Sequence, residues 1–378
     1  SRTSGTPGKT PEQILDDFQP EVAEWSCLPE LVNHPHRTRK ILGGLEYQEF
    51  PQGPKRDYQL WQDKFGFAFE PTEDNGVAVN STGKLQTLRY GSETPLLYYV
   101  CHNAPRWHDF HKDSILRAAK DPTCALVRQD NIGSPCGVGW DNGGWCKWCL
   151  AGFKARLQGL APDRLKALGI ADITTCDAKA ALQTALRKPA EEKLEDPLVR
   201  EYVRFMLASN LGHWRDEVAA SHAARPEVPI CGNQGAHGLS PYPFVLLSDA
   251  SDLIFLENSN RAFGTNSNSL WYALSLAGGR HSKPAWIWDF GSQAYMNQVA
   301  GSQVFVAECY VHGATPYYEI NNLGWDPQKG YVSIPMGVAT YEALARYAQF
   351  AHRHSDLLTG NYAADTRVAL LYSVPPSP

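Results

Sequence analysis

The chain has 378 residues, of which 43% are hydrophobic and 20% charged, enough apolar material for a large core and too little charge for disorder. A net charge of -5 gives no basic field to collect phosphate backbones or anionic lipid, which sets aside nucleic acid and membrane partners in favour of a neutral ligand. The longest apolar runs, such as residues 243–247 and 304–307, fall far short of the ~20 residues that cross a bilayer.

Along the chain, Ser1–Thr10 is small, polar and rich in Gly and Pro, and is expected to be flexible. It resembles what is left after removal of a leader, so a secreted or periplasmic location is expected over a cytoplasmic one. From residue 11 to 373, short apolar runs ending in polar or Gly-rich turns alternate with helix-like segments, the pattern of repeated βα units and hence of a parallel sheet. The expected strands are residues 96–100, 125–129, 228–232, 252–256, 285–288 and 304–308. The expected helices are 107–120, 149–160, 196–224 and 269–277. In the longest of these, Leu198, Tyr202, Phe205 and Met206 recur at helical spacing. Residues 159–195, rich in Ala, Lys and Asp, read as surface helices or an excursion between units. The fold expected is one (β/α)8 TIM barrel with long loops over residues 11–373, followed by a Pro-rich linker at 374–378 to a possible further domain.

In such a barrel the chemistry sits at the carboxyl ends of the strands, so acids and amides that directly follow an apolar run carry weight. Four acids do: Asp130 after Gln129, Glu257 after Leu256, Asp289 after Trp288, and Glu308 after Ala307. Hydrolysis of a glycosidic bond needs two carboxyl groups, one to protonate the leaving oxygen and one to attack or to activate water. Each acid also has an ordinary alternative, capping the next helix or pairing with a cation. Asn131 and Asn258, each next to one of these acids, and Asn233-Gln234 after the run at 228–232 are expected to hydrogen-bond sugar hydroxyls or orient the carboxylates, though Asn is also a common turn former. The chain holds 11 Trp, and Trp145 and Trp288 stand in sequence positions where a flat ring could stack on a sugar. His102 joins them as a pocket residue.

Nine cysteines cannot all pair within one chain. Cys146 and Cys149 form a CxxC at the start of a helix, a spacing used by structural zinc, and Cys101 and Cys136 would complete four thiolates if the fold gathers them. His108 and His111 are three apart on a helix and offer one face of a metal site, or simply line a polar cleft. Phosphate-binding glycine loops, Ser nucleophile elbows and HExxH are missing, which excludes the usual nucleotide, esterase and metalloprotease signatures.

Several of these segments resemble the family 42 β-galactosidases and related barrel glycosidases. Tyr99-Val-Cys-His-Asn-Ala-Pro-Arg-Trp107 is similar to the Cys-x-Asn-x-Pro stretch at the end of that family's third strand. Gln129-Asp-Asn131 and Gly144-Trp-Cys-Lys-Trp-Cys-Leu-Ala-Gly-Phe153 resemble its fourth strand end and Cys-containing helix. Asp196-Pro-Leu-Val-Arg-Glu-Tyr-Val-Arg-Phe205 looks like its long helix, and Arg367-Val-Ala-Leu-Leu-Tyr-Ser373 like the lead into its next domain. The resemblance implies a (β/α)8 barrel, a carbohydrate substrate, no catalytic cofactor and, from Cys101, Cys146 and Cys149 with Cys136 as a substitute, a structural zinc. It also implies a possible homo-oligomer. Two departures matter. The family's acid/base Glu falls on Ile132, which cannot transfer a proton, and its nucleophile Glu falls on Asp289. Other barrel glycosidases, such as the α-fucosidase and α-galactosidase families, place an Asp nucleophile after the fourth strand and an acid/base near the sixth, roles that Asp130 and Glu257 would fill here. The function expected is a retaining glycoside hydrolase of oligo- or polysaccharides. A polysaccharide lyase and an inactive sugar-binding barrel are the alternatives.

Overall fold

The computed structural model describes residues 9–20, 22–24, 39–42, 49–51, 54–89, 92–129, 144–186, 192, 195–235, 250–258, 283–289, 299–311, 314–317, 321–326 and 330–358. Its centre is a seven-stranded parallel sheet whose strands are β1 (Val22–Glu24), β2 (Arg39–Leu42), β6 (Cys124–Gln129), β7 (Ile230–Gly235), β8 (Ile254–Asn258), β9 (Ala285–Asp289) and β10 (Thr315–Tyr317). They lie side by side in chain order, and every ladder among them is parallel. Parallel neighbours need a crossover between them, and a row built in chain order by crossovers is how the wall of a βα barrel is laid down.

The sheet is curled. Leu126 of β6, Cys231 of β7 and Phe255 of β8 form one buried cluster with Leu253, and Val22, Trp286 and Tyr317 pack against it. Val22 and Tyr317 stand on the two outermost strands. In a flat sheet those strands would be about 29 Å apart, six spacings of ~4.8 Å, too far to share a handful of side chains. Curling them round one core brings both edges to it.

Helices cover the opposite face. Cys124, Val127 and Ile230 pack against Ile115, Ala118 and Ala119 of α3 (Pro105–Lys120) and Trp214 and Val218 of α7 (Pro197–Ala224). Ile254, Ala285 and Ile287 pack against Phe305, Val306 and Cys309 of α8 (Val299–Val311) and Tyr341, Leu344 and Ala345 of α9 (Val338–Arg353). The amino-terminal helix α1 (Pro11–Phe18) docks on α9, with the Tyr341 hydroxyl donating to Asp17 Oδ2 at 2.8 Å and the Phe18 ring 5.1 Å from that of Tyr341. Asp196 starts α7 by accepting from the backbone N–H of Leu198 and Val199, which satisfies donors a helix start leaves open. Of the segment 159–195, residues 159–186 hold the helices α5 (Pro162–Ala167) and α6 (Ala178–Ala185).

Two expected strands are placed differently. The run at 96–100 does not enter the parallel sheet: β5 (Leu97–Tyr99) pairs antiparallel with β3 (Glu49–Phe50) and β4 (Thr87–Leu88), while β2 pairs directly with β6. Its apolar neighbours bury elsewhere, with Val100 in a cluster with Phe50, Trp61, Trp107 and Phe110. The run at 304–308, with Glu308 as its expected end, lies inside helix α8. Ser302, Phe305, Val306 and Cys309 are buried while Val304 is exposed, which is helical spacing hidden in a short apolar run. Glu308 therefore does not finish a strand. The expected helix at 269–277 lies outside the described residues.

The three-stranded sheet and α2 (Pro54–Phe65) are held on α3 by aromatic packing. Phe50, Trp61, Trp107 and Phe110 are fully buried, with ring centroids 4.9–6.1 Å apart in the edge and tilted arrangements aromatic rings prefer. Gly76 is required there: its φ is +94°, and a Cβ on it would collide with Cβ of Trp107. Gly83 has φ +84° with open space around it. Gly83→Ala should therefore cost about 1–2 kcal/mol from backbone strain alone. Gly76→Ala adds overpacking worth about 1–3 kcal/mol, so urea melts should show the larger loss at position 76.

Candidate functional site

The curled sheet changes character along its strands. On the inner face, Leu126 of β6 is followed two residues later by Arg128, and Cys231 of β7 by Asn233. Arg128 is 3% exposed and its guanidinium lies 4.9 Å from the centre of the Phe255 ring, while Asn233 is fully buried and stands opposite Phe255 in the ladder. Successive residues of a strand point to opposite faces, so i and i+2 share one. By that alternation position 257 shares the face of Phe255, and 288 that of Trp286. The register agrees, since Gly235, Glu257, Trp288 and Tyr317 form one row across β7 to β10. Tyr317 is on the inner side, its ring 5.6 Å from that of Phe255. Asn258 and Asp289 form the next row and close their strands.

Of the expected site residues, then, Glu257, Asn258, Trp288 and Asp289 lie at the carboxyl ends of the adjacent strands β8 and β9. Asp130 and Asn131 follow β6 directly but lie outside the described residues, as does Cys136. Glu308 is on α8. Trp145 is 2% exposed and packed in the core with Phe153 and Tyr202, and His102 is 1% exposed. Arg128 and Tyr317 were not singled out from the sequence. Arg128 stands two residues after the inner-face residue Leu126, a signal visible only once the strands and their faces are known.

A second grouping lies at the start of α4 (Lys147–Gln158). Cys101 follows β5, Cys146 caps the helix and Cys149 is in its first turn. Their sulfurs are 3.3, 3.3 and 3.4 Å apart, and all three are buried. Hydrogen bonding from Cys101, then from Cys149, pulls the Cys146 thiol down to about 4. Asn103 Nδ2 donates to Cys149 Sγ at 3.3 Å, and its Oδ1 accepts from Ser209 Oγ and lies 3.0 Å from His213 Nε2. One amide thus ties the thiol cluster to α7.

Beside it is a cluster of imidazoles from α3, α7 and the turn after β5. The rings of His108 and His213 are 4.4 Å apart and those of His102 and His111 are 5.4 Å apart. His111 Nδ1 is 2.7 Å from Glu217 Oε1. Desolvation holds His108 below the usual imidazole range, and desolvation with the neighbouring His108 brings His213 down to about 4.

No family model matches the sequence, and no curated protein matches it. Among solved structures, the fold is similar to a β-galactosidase from the psychrophilic Marinomonas ef1 (TM-score 0.57, 11% identity) and one from Rahnella sp. R3 (0.57, 13%). It is also similar to a GH42 β-galactosidase from G. stearothermophilus (0.52, 12%). The match is one of fold. These comparisons cover 92%, 92% and 93% of this chain and 58%, 53% and 55% of the other chains, so the chain spans little more than half the length of each.

The imidazole pocket gives a pH dependence with a definite sign. A His held below its unfolded value of about 6.5 binds its proton more readily in the unfolded chain. Stability therefore falls as pH drops from about 6.5 towards the folded value of about 4 for His213. His213→Asn should remove on the order of 1–2 kcal/mol of that slope, measured as urea stability at pH 7 against pH 5.

Proposed function

We propose that the chain is a glycoside hydrolase acting on oligo- or polysaccharides, built as a (β/α)8 barrel over most of its length. The observation that carries this reading is the change from apolar to polar side chains along the inner face. Leu126 gives way to Arg128 and Cys231 to Asn233, and the next row holds positions 257, 288 and 317. A barrel enzyme works at that end of its strands, and Arg, Asn, Glu, Trp and Tyr are the groups that hold a polyhydroxylated ring and a departing oxygen. The β-galactosidases of similar fold support the same substrate class.

Within this reading Asp130 is the nucleophile and Glu257 the acid/base, giving retention. Alternation favours Glu257 over Asp289, because position 257 shares the face of Phe255 while 289 shares that of Ile287, which packs on the outer helices. Asn131 and Asn258 would bind hydroxyls and Trp288 would stack on the sugar. Nitrophenyl glycosides provide the test. Glu257→Gln should lower kcat by roughly 10²–10⁴, most for substrates with poor leaving groups, and Asp130→Asn by at least as much. Asp289→Asn should retain more activity than either, and proton NMR of the first product should show the starting anomer. Turnover near that of the unaltered enzyme in Glu257→Gln removes that residue from the mechanism, and binding without turnover across a glycan panel favours the inactive barrel.

The thiol cluster fits a structural zinc. Three buried sulfurs in mutual contact, one of them strongly acidic and another receiving an amide N–H, supply three of four tetrahedral ligands. Zn–S bonds of ~2.3 Å place sulfurs about 3.8 Å apart, so the triangle need open by only about 0.4 Å. Cys136 is the expected fourth. When bound, zinc would clamp the start of α4 to the turn after β5, and the chemistry on sugar would remain with the carboxylates. Removing metal with a chelator, or Cys149→Ser, should lower Tm by several degrees in a thermal melt and leave kcat of the folded fraction within about two-fold.

A further inference from the structure

The pocket between α3 and α7 has a composition that the sugar chemistry does not use. Glu217 is fully buried, as is His111, and His102 is 1% exposed. The three come from separate places, the turn after β5, the middle of α3 and the last third of α7. Each offers one ligand atom, and these atoms lie within 4.8 Å of one another. One carboxylate oxygen, Oε1, meets His111 Nδ1 at 2.7 Å, whereas Oε2 is buried with no hydrogen-bond partner. A carboxylate with one bare oxygen away from water costs several kcal/mol unless something positive meets it. Lys112, on the same helix as His111, is engaged by Asp216 at 2.7 Å.

We propose that His102, His111 and Glu217 bind a divalent transition-metal ion, with zinc the best fit to two imidazoles and one carboxylate. Ligands 2.0–2.2 Å from zinc stand roughly 3.3–3.6 Å apart, a closure within reach of side-chain rotations. The Glu217 oxygen without a partner supplies the vector for the ion, and imidazole with carboxylate is a donor set that selects zinc, cobalt or nickel over magnesium or calcium. The enclosure makes the site structural. A metal there would pin α3 to α7, the two helices that cover β6 and β7, and would sit next to the thiol cluster through Asn103, which touches both Cys149 and the His213 that borders the pocket. The two sites have different donors, and this one does not depend on the glycosidase reading.

Cobalt loading of the full 378-residue chain separates them, because only thiolate ligation gives intense near-ultraviolet charge transfer. After chelation and reloading, the unaltered protein should hold two equivalents of cobalt by elemental analysis. Glu217→Gln and His102→Gln should each hold one and keep the charge-transfer band. Cys146→Ser should hold one and show only the weak visible bands of nitrogen and oxygen ligands. Circular dichroism identifies the folded variants, and the two pocket variants serve as independent reporters if one fails to fold. The proposal is overturned if both pocket variants that fold retain the full metal content, or if Cys146→Ser removes all of it. In that case the His111–Glu217 contact is only a hydrogen bond between helices.

Discussion

The packing of side chains from nearly every parallel strand into one interior cluster is the constraint on which the remaining arrangement depends. Val22 and Tyr317 reach that cluster from the two edges of the sheet, so the strands between them must curve, and curvature gives the sheet an inside and an outside. The outside is apolar and covered by α3, α7, α8 and α9. Each buried aromatic or aliphatic side chain there contributes about 1.5–3 kcal/mol, so the helices are fixed by area rather than by specific bonds. On the inside, Phe255 and Trp286 belong to one packed group with side chains from several strands.

Much of this was legible in the sequence because parallel strands buried on both faces read as short apolar runs bounded by turns. Residues 125–129, 228–232, 252–256 and 285–288 all fall on or within two residues of strands of the sheet. The failures have a shared cause. A short apolar run carries no periodicity strong enough to state what it pairs with, so 96–100 was read as a barrel strand when its partners are Glu49, Phe50, Thr87 and Leu88. For 304–308 the spacing of Ser302, Phe305, Val306 and Cys309 was present but masked by Val304 and Ala307 between them.

The site was legible in part for a different reason. Acids directly after a strand can be found by position, which is how Glu257 and Asp289 were found, but which face a position takes depends on register, and register is set by neighbours distant in sequence. Arg128 could not be ranked above dozens of other polar residues until Leu126 was known to face inward. The thiols were legible through the CxxC spacing alone. Gathering Cys101 with them requires the turn after β5 to meet the start of α4, which the backbone bonds from Cys101 to Gly76 and from Trp145 to Val79 secure. Glu217 had no local signal, since it is one acid on a long helix and gains meaning only from His111, 106 residues earlier.

The polar inner layer also runs against stability, which is what gives it functional weight. Burying Arg128 and Asn233 beside an apolar cluster costs desolvation free energy that equally large apolar residues would not. The preceding inner positions, Leu126 and Cys231, show that these same strands carry apolar residues inward where packing is the only demand. The cost is confined to the end of the strands where Glu257 and Asp289 also stand, and the Arg128 guanidinium recovers part of it by lying over Phe255. A fold selected for packing alone would extend the apolar layer through those rows. Polar groups kept at that end are what the proposed reading requires, since a barrel enzyme meets its ligand at the carboxyl ends of its strands.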